Sequence, residues 1–94
     1  MSQQYDKNTR ARSNAAVSVT TAAGVAVAED LNRIGVVFHN AHATEAIYLG
    51  DSSVSSSNGF RLVAGDTFED WRSSAAWYCR TASGTSDLRV LTFY

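Results

Sequence analysis

The sequence predicts an all-β fold, a small antiparallel β-sandwich or barrel with about seven short strands. Most of the 94-residue chain consists of short segments in which apolar and polar residues alternate, as in RIGVVFHN at 33–40. Clusters of Gly, Ser, Asn and Asp separate these segments at intervals of roughly 8–12 residues, a spacing typical of strands joined by turns. No stretch shows the periodicity of a helix of useful length.

The chain length and polarity predict one β-domain preceded by an arm. Ninety-four residues suit a single domain. Residues 1–14, MSQQYDKNTRARSN, contain no large apolar residue after Tyr5. Because such a segment cannot bury enough apolar surface to offset its ordering entropy, we expect a flexible polar arm over 1–14 and a β-domain over 15–94.

The first β segments of the domain predict a hairpin. Residues 15–20 alternate small apolar and polar side chains, and Val25 and Val27 resume the alternation. We expect Gly24 to supply a positive φ in the connection. Alanine also favours helices, but the β-branched residues at two-residue spacing favour a strand.

Later strands have predicted core faces. In the segment 33–40, alternation places Arg33 on the outward face with Gly35. The predicted inward side chains are Ile34, Val36, Phe38, Ile47, Leu49, Phe60, Leu62, Trp77 and Cys79. Gly65 is expected to take a positive φ in a turn.

The last strand has apolar residues on both of its faces. Leu88 and Val90 lie on one face, and Leu91 and Phe93 lie on the other. Either a bulge shifts the alternation or both faces are buried. If both faces are buried, the second face is covered either by another subunit or by the other sheet of a sandwich formed by the same chain.

Composition excludes several classes of partner. The net charge is −1, so the chain lacks the basic footprint of a nucleic-acid-binding protein. No apolar stretch approaches the ~18 residues that span a bilayer, so we expect no membrane contact. The N-terminus lacks the apolar core of a signal peptide, and we expect the protein to be made and used without secretion.

No residue pattern predicts a reaction centre. His39 and His42 could hold a metal only with a third ligand such as Glu45 or Asp51, and solvated histidines at a strand end are more common. The single cysteine, Cys79, alternates with a tryptophan in a strand, which favours a buried, inert thiol. We therefore expect neither enzymatic activity nor a cofactor.

The aromatic residues leave two interpretations open. A sugar-stacking platform could use exposed rings, whereas β cores and protein interfaces use the same residue types. The candidate rings are Tyr48, Trp71, Trp77 and Tyr78.

The order of segments after residue 32 resembles that of small virion structural proteins of tailed bacteriophages. It runs RIGVVFHN, AIYLG, SSSNGFRL, VAGDTF, AAWYCRTASGT and DLRVLTFY, and covers about two-thirds of the chain. The resemblance implies a capsid decoration or cement protein without catalytic activity, made in the host cytoplasm and located in the virion. Its partners would be the major capsid protein or other virion proteins, and its assembly a homo-oligomer, most simply a trimer. A neck, tail or fibre-base component and a receptor- or glycan-binding module are the alternatives.

This interpretation assigns contact roles to two groups of residues. We expect Leu91, Phe93 and Tyr94 to form subunit contacts, because the last strand carries apolar residues on both faces. We expect Arg10 and Arg12 to form the contacts of the arm with neighbouring subunits.

Overall fold

The computed structural model describes residues 11–94 as two four-stranded antiparallel sheets. The strands are β1 (Arg12–Val19), β2 (Gly24–Val27), β3 (Gly35–Asn40), β4 (Ile47–Gly50), β5 (Phe60–Leu62), β6 (Thr67–Asp70), β7 (Trp77–Arg80) and β8 (Ser86–Phe93). The predicted all-β, sandwich-like fold is confirmed, with eight strands instead of about seven. No helix suited to crossing a membrane occurs in this part of the chain.

Consecutive strands mostly alternate between the two sheets. The first sheet has the order β1-β8-β3-β6, and the second has the order β2-β7-β4-β5. Among the strands of residues 11–94, only β4 and β5 are both consecutive in the chain and paired with each other. The longest strands, β1 and β8, pair in one unbroken register from Arg12 opposite Phe93 to Val19 opposite Ser86.

The inner faces of the two sheets meet in one hydrophobic core. The first sheet contributes Val19, Val36, Phe38, Leu88 and Val90, and the second contributes Ala26, Ile47, Leu49, Leu62 and Cys79. Trp77 closes the core with edge-on contacts to Phe38 and Phe68, each with ring centroids 5.6 Å apart. Each large apolar side chain buried in this way contributes roughly 1.5–3 kcal/mol.

The predicted hairpin between the first two strands is wrong. β1 pairs with β8, whereas β2 pairs with β7 in the other sheet. Both segments direct apolar residues toward the core, and two facing sheets satisfy that pattern as well as one hairpin does. Gly24 does not have a positive φ, whereas Gly65 does, at 84°, as predicted.

Strand β1 begins inside the segment that the sequence predicts to be an arm. Arg12 already belongs to β1, although residues 12–14 are polar. Backbone pairing at a sheet edge does not require apolar side chains on the exposed face, so the polar composition of residues 12–14 did not indicate that the strand begins at Arg12. Residues 1–10, including Arg10, lie outside the described part of the chain.

Two predicted inward residues are exposed, and one predicted outward residue is buried. Phe60 is 52% exposed because β5 is a three-residue edge strand, and its ring stacks on Phe68 at 4.7 Å. Ile34 precedes β3 and is also exposed. Arg33 is buried instead of facing outward, since its guanidinium donates to backbone carbonyls of two loops.

The last strand is regular. Its pairing with both β1 and β3 continues without a shift, so no bulge changes its alternation. Leu88 and Val90 enter the core, while Leu91 and Phe93 lie half-buried on the outer face of the sheet.

Asn40 joins the two sheets through a fully satisfied buried amide. Its Nδ2 donates to the carbonyls of Glu45 at 2.8 Å and Leu62 at 2.9 Å. Its Oδ1 accepts hydrogen bonds from the His42 amide at 3.0 Å and the Ser86 hydroxyl at 3.2 Å. Because a buried amide without partners would be destabilising, this set of bonds fixes where β3 ends relative to β5.

Candidate functional site: the outer face of the first sheet

The outer face of the first sheet carries three of the residues that the sequence predicts to form contacts, Arg12, Leu91 and Phe93. Residues opposite one another in an antiparallel sheet share a face, so the strand register defines this surface. Its members are Arg12, Asn14, Ala16 and Ser18 of β1, Asp87, Arg89, Leu91 and Phe93 of β8, Gly35, Val37 and His39 of β3, and Thr67 and Glu69 of β6.

One end of this face carries an apolar strip formed by Val37, Trp71, Leu91 and Phe93. Leu91 lies directly opposite Val37, and the Trp71 ring packs against Phe93 with centroids 5.1 Å apart. Trp71 remains 49% exposed. An exposed aromatic group of this kind on a flat sheet suits contact with another protein surface.

Trp71 is held flat by two contacts. Its indole lies directly over Gly35, where a Cβ atom would overlap the ring atom Cε3. Its Nε1 donates a hydrogen bond of 2.8 Å to Glu69 Oε1. The ring orientation is therefore fixed before any partner binds, which lowers the entropy cost of binding.

The other end of the face is polar and charged. Arg89 donates hydrogen bonds to both carboxylate oxygens of Asp87, with Nη2 2.7 Å from Oδ2, and this contact holds the pKa of Asp87 below its usual range. His39 Nδ1 lies 3.0 Å from the Thr67 hydroxyl. An open depression of about 430 Å³ lies between these groups and the apolar strip.

The structure brings together some of the predicted contact residues and separates others. Leu91 and Phe93 share the outer face with Arg12, which lies directly opposite Phe93. Tyr94 does not join them, because its hydroxyl lies 3.4 Å from that of Thr92, a residue of the buried face of β8. The Tyr94 amide instead donates to the Ala11 carbonyl and so extends the pairing of β8 with β1.

The two histidines do not converge on a metal site. His39 lies on the outer face, whereas His42 accepts hydrogen bonds at Nδ1 from the Thr44 and Glu45 amides in the β3–β4 loop. Within residues 11–94, no three His, Cys, Asp or Glu side chains come together as metal ligands.

Cys79 is buried among core residues, as predicted. Burial raises the pKa of its thiol to about 11, so the thiol stays protonated at neutral pH. A protonated buried thiol is a poor nucleophile.

The four aromatic rings considered for a sugar platform lie in three different parts of the molecule. Trp77 packs against the core. Tyr48 and Tyr78 lie on the outer face of the second sheet, since their strand neighbours Leu49 and Cys79 face inward. Of these four rings, only that of Trp71 lies on the outer face of the first sheet, over Gly35 and beside Phe93. These four residues therefore do not form one platform.

The pairing of Trp71 with Gly35 is the feature that sequence reasoning missed. A glycine in a strand followed by a distant tryptophan is a weak signal of close approach, and it needs the fold to become visible. The resulting surface, an apolar strip beside charged groups, is suited to contact with a protein partner.

No protein-family model, no curated protein and no solved structure matches the chain.

Proposed function

We propose that this protein is a non-enzymatic virion structural protein of a tailed bacteriophage, which decorates or cements the capsid by bridging neighbouring capsid subunits. The observation that carries the proposal is the apolar strip of Val37, Trp71, Leu91 and Phe93 on a rigid sheet. The resemblance in the order of segments after residue 32 supports the same assignment.

A cement protein stabilises a shell by mass action. A molecule that binds the assembled shell and not its free subunits shifts the equilibrium toward the shell. For this role the protein needs a contact surface that does not rearrange on binding. The outer face meets that need, because Trp71 is fixed over Gly35 and β8 is paired on both sides.

The assembly in this proposal is a homo-oligomer, with a trimer as the simplest form. Leu91 and Phe93 are available for contacts, either between copies or with the shell, because they lie half-buried on the outer face. Arg12 borders the same area and supplies a positive charge for acidic neighbours. Tyr94 faces the other way, and its role in this proposal is to anchor the end of β8 to β1.

The test is binding to capsids that have been stripped of the protein. We expect the wild-type chain to sediment with the shells and Phe93→Ser to lose at least tenfold in affinity, because the substitution removes an aromatic anchor from the strip. Phe60→Ser is the matched control, since Phe60 is an exposed aromatic residue away from this face. Equal binding by all three proteins would contradict the proposal.

The same experiment separates the alternatives. Binding to tails or necks but not to capsids would place the protein elsewhere in the virion. A change in tryptophan fluorescence on adding sugars, lost in Trp71→Phe, would instead favour a glycan-binding module built around the exposed ring.

A further inference from the structure

The β1 edge differs from the other three sheet edges. Proteins protect exposed sheet edges from further pairing with short strands, charges and bulges. The edge strand β6 has four residues and includes Glu69 and Asp70, β5 has three residues, and β2 has four residues with a register shift. In contrast, β1 has eight residues in an unbroken register and one charged residue, Arg12.

The backbone groups of β1 that have no partner within residues 11–94 can be identified from its pairing. In an antiparallel ladder, the N–H and C=O of one residue point to the same neighbour, and this direction alternates along the strand. The Tyr94 amide donates to the Ala11 carbonyl, so odd-numbered residues of β1 point toward β8. The groups of the even-numbered residues therefore point away from β8, and these residues are Arg12, Asn14, Ala16 and Ser18.

We propose that the β1 edge pairs antiparallel with the β1 edge of a second copy of this chain. A two-fold axis at Ala15 places Arg12 opposite Ser18 and Asn14 opposite Ala16. In this register every outward N–H and C=O of those four residues finds a partner. The two first sheets then join into one continuous sheet.

The side chains favour this self-pairing. The central residues, Asn14, Ala15 and Ala16, are small and exposed, so they allow a second strand to approach. Each Arg12 falls opposite Ser18 and not opposite the other Arg12, which avoids repulsion between like charges. It also lies two strands, roughly 10 Å, from the acidic Asp87 of the other copy, which follows from the pairing of Ser18 with Asp87.

This contact is separate from the one in the proposed function. It uses the edge of the first sheet, whereas the contacts of the proposed function, with the shell or between copies, use the apolar strip on its face. A two-fold contact alone gives a dimer, and combined with a three-fold contact through the strip it gives a hexamer. A substitution in β1 should therefore halve the native mass and leave the strip intact. Phe93→Ser should weaken the contacts made by the strip and leave the β1 pairing intact, so the two proposals can fail independently.

The first test is a proline at the edge. Asn14→Pro removes an outward N–H that has no partner within the described chain, so the strand can remain paired with β8. We expect the wild-type protein to have an even number of chains by light scattering and Asn14→Pro to have half that mass. The control is Thr67→Pro, which removes an N–H at the first residue of β6 on the opposite edge of the same sheet and should leave the mass unchanged.

The second test checks the register. Ala15 of one copy would face Ala15 of the other at a non-hydrogen-bonded position, where Cα atoms lie about 4.5 Å apart and a disulfide can form. We expect Ala15→Cys to form a covalent dimer on mild oxidation. Ala16→Cys should not form this dimer, because the cysteines at position 16 of the two copies would be diagonal neighbours about 7–8 Å apart. The native Cys79 is buried and should not compete.

Several results would overturn the proposal. One is a monomer at all concentrations, and another is cross-linking through residue 16 as efficient as that through residue 15. A third is slow amide exchange of Asn14 and Ala16 in a monomeric protein, which would mean that another part of the same chain covers the edge.

Discussion

Arg33 joins two loops from a buried position at the end of the first sheet. Its Nη1 donates to the Ala28 carbonyl at 2.9 Å, and its Nη2 donates to the carbonyls of Ser73 at 3.2 Å and Ala75 at 2.7 Å. The alternation of side chains predicted that Arg33 faces outward. Two of its acceptors, the carbonyls of Ser73 and Ala75, are about 40 residues away in the chain, so the local sequence does not indicate them. The burial of the Arg33 guanidinium could be predicted only from the fold, which places its three carbonyl acceptors around it.

Asp70 completes the same cluster and makes its stability depend on pH. Burial raises the pKa of this carboxyl, but hydrogen bonds from the Arg72 and Ser73 amides and the Trp77 indole, together with the charge of Arg33, outweigh burial and lower the pKa. A carboxyl with a lowered pKa in the folded state stabilises the fold above its unfolded pKa. That contribution is lost as the pH falls through the folded pKa.

We therefore predict that Asp70→Asn reduces the free energy of unfolding by about 1 kcal/mol at pH 7, since a charged acceptor of the Trp77 indole is lost. The difference from wild type should shrink as the pH falls below about 4. Urea unfolding of both proteins at pH 7 and below pH ~4 measures this difference in the free energy of unfolding. Asp66→Asn is the control, because Asp66 is an exposed carboxyl just before the other end of β6. A difference that does not change with pH would contradict this assignment.

Among the strands, β3 and β8 set the shape of the outer face of the first sheet. Gly35 of β3 leaves the space that the Trp71 ring fills, and Phe93 of β8 packs beside that ring. The position of the Trp71 ring thus depends on the absence of a side chain at Gly35.

Gly35→Ala should displace Trp71 and destabilise the protein by roughly 1–3 kcal/mol, because the new Cβ overlaps the indole. Chemical unfolding measures the loss, and a changed tryptophan emission would report the displaced ring. Gly24→Ala is the matched control, since a Cβ there meets nothing within 4 Å and its φ is not positive. If both variants unfold at the same denaturant concentration, the packing of the Trp71 ring does not depend on the space above Gly35.

Alternation predicted the faces of strands better than it predicted their partners. Val36, Phe38, Ile47 and Leu49 face inward as expected, because the two-residue period is a local property of a strand. The pairing of β1 with β8 joins residues at opposite ends of the domain, and no local pattern specifies it. The same holds for the candidate site, where Leu91 and Phe93 were predictable from their phase in β8, but Trp71 over Gly35 was not.

The whole molecule is a two-sheet sandwich, and both of its proposed contacts lie on its surface. The core holds two sheets face to face. In our two proposals, the apolar strip binds the shell and the β1 edge binds a second copy. The central claim is that binding through the strip stabilises an assembled capsid.

The most direct measurement is the disruption temperature of capsids stripped of this protein, followed as purified protein is added. The account predicts a rise that saturates at a fixed number of copies per shell and requires Phe93, because a ligand of the assembled state stabilises that state. A disruption temperature that stays constant up to saturating protein, or that rises equally with Phe93→Ser, would contradict the claim.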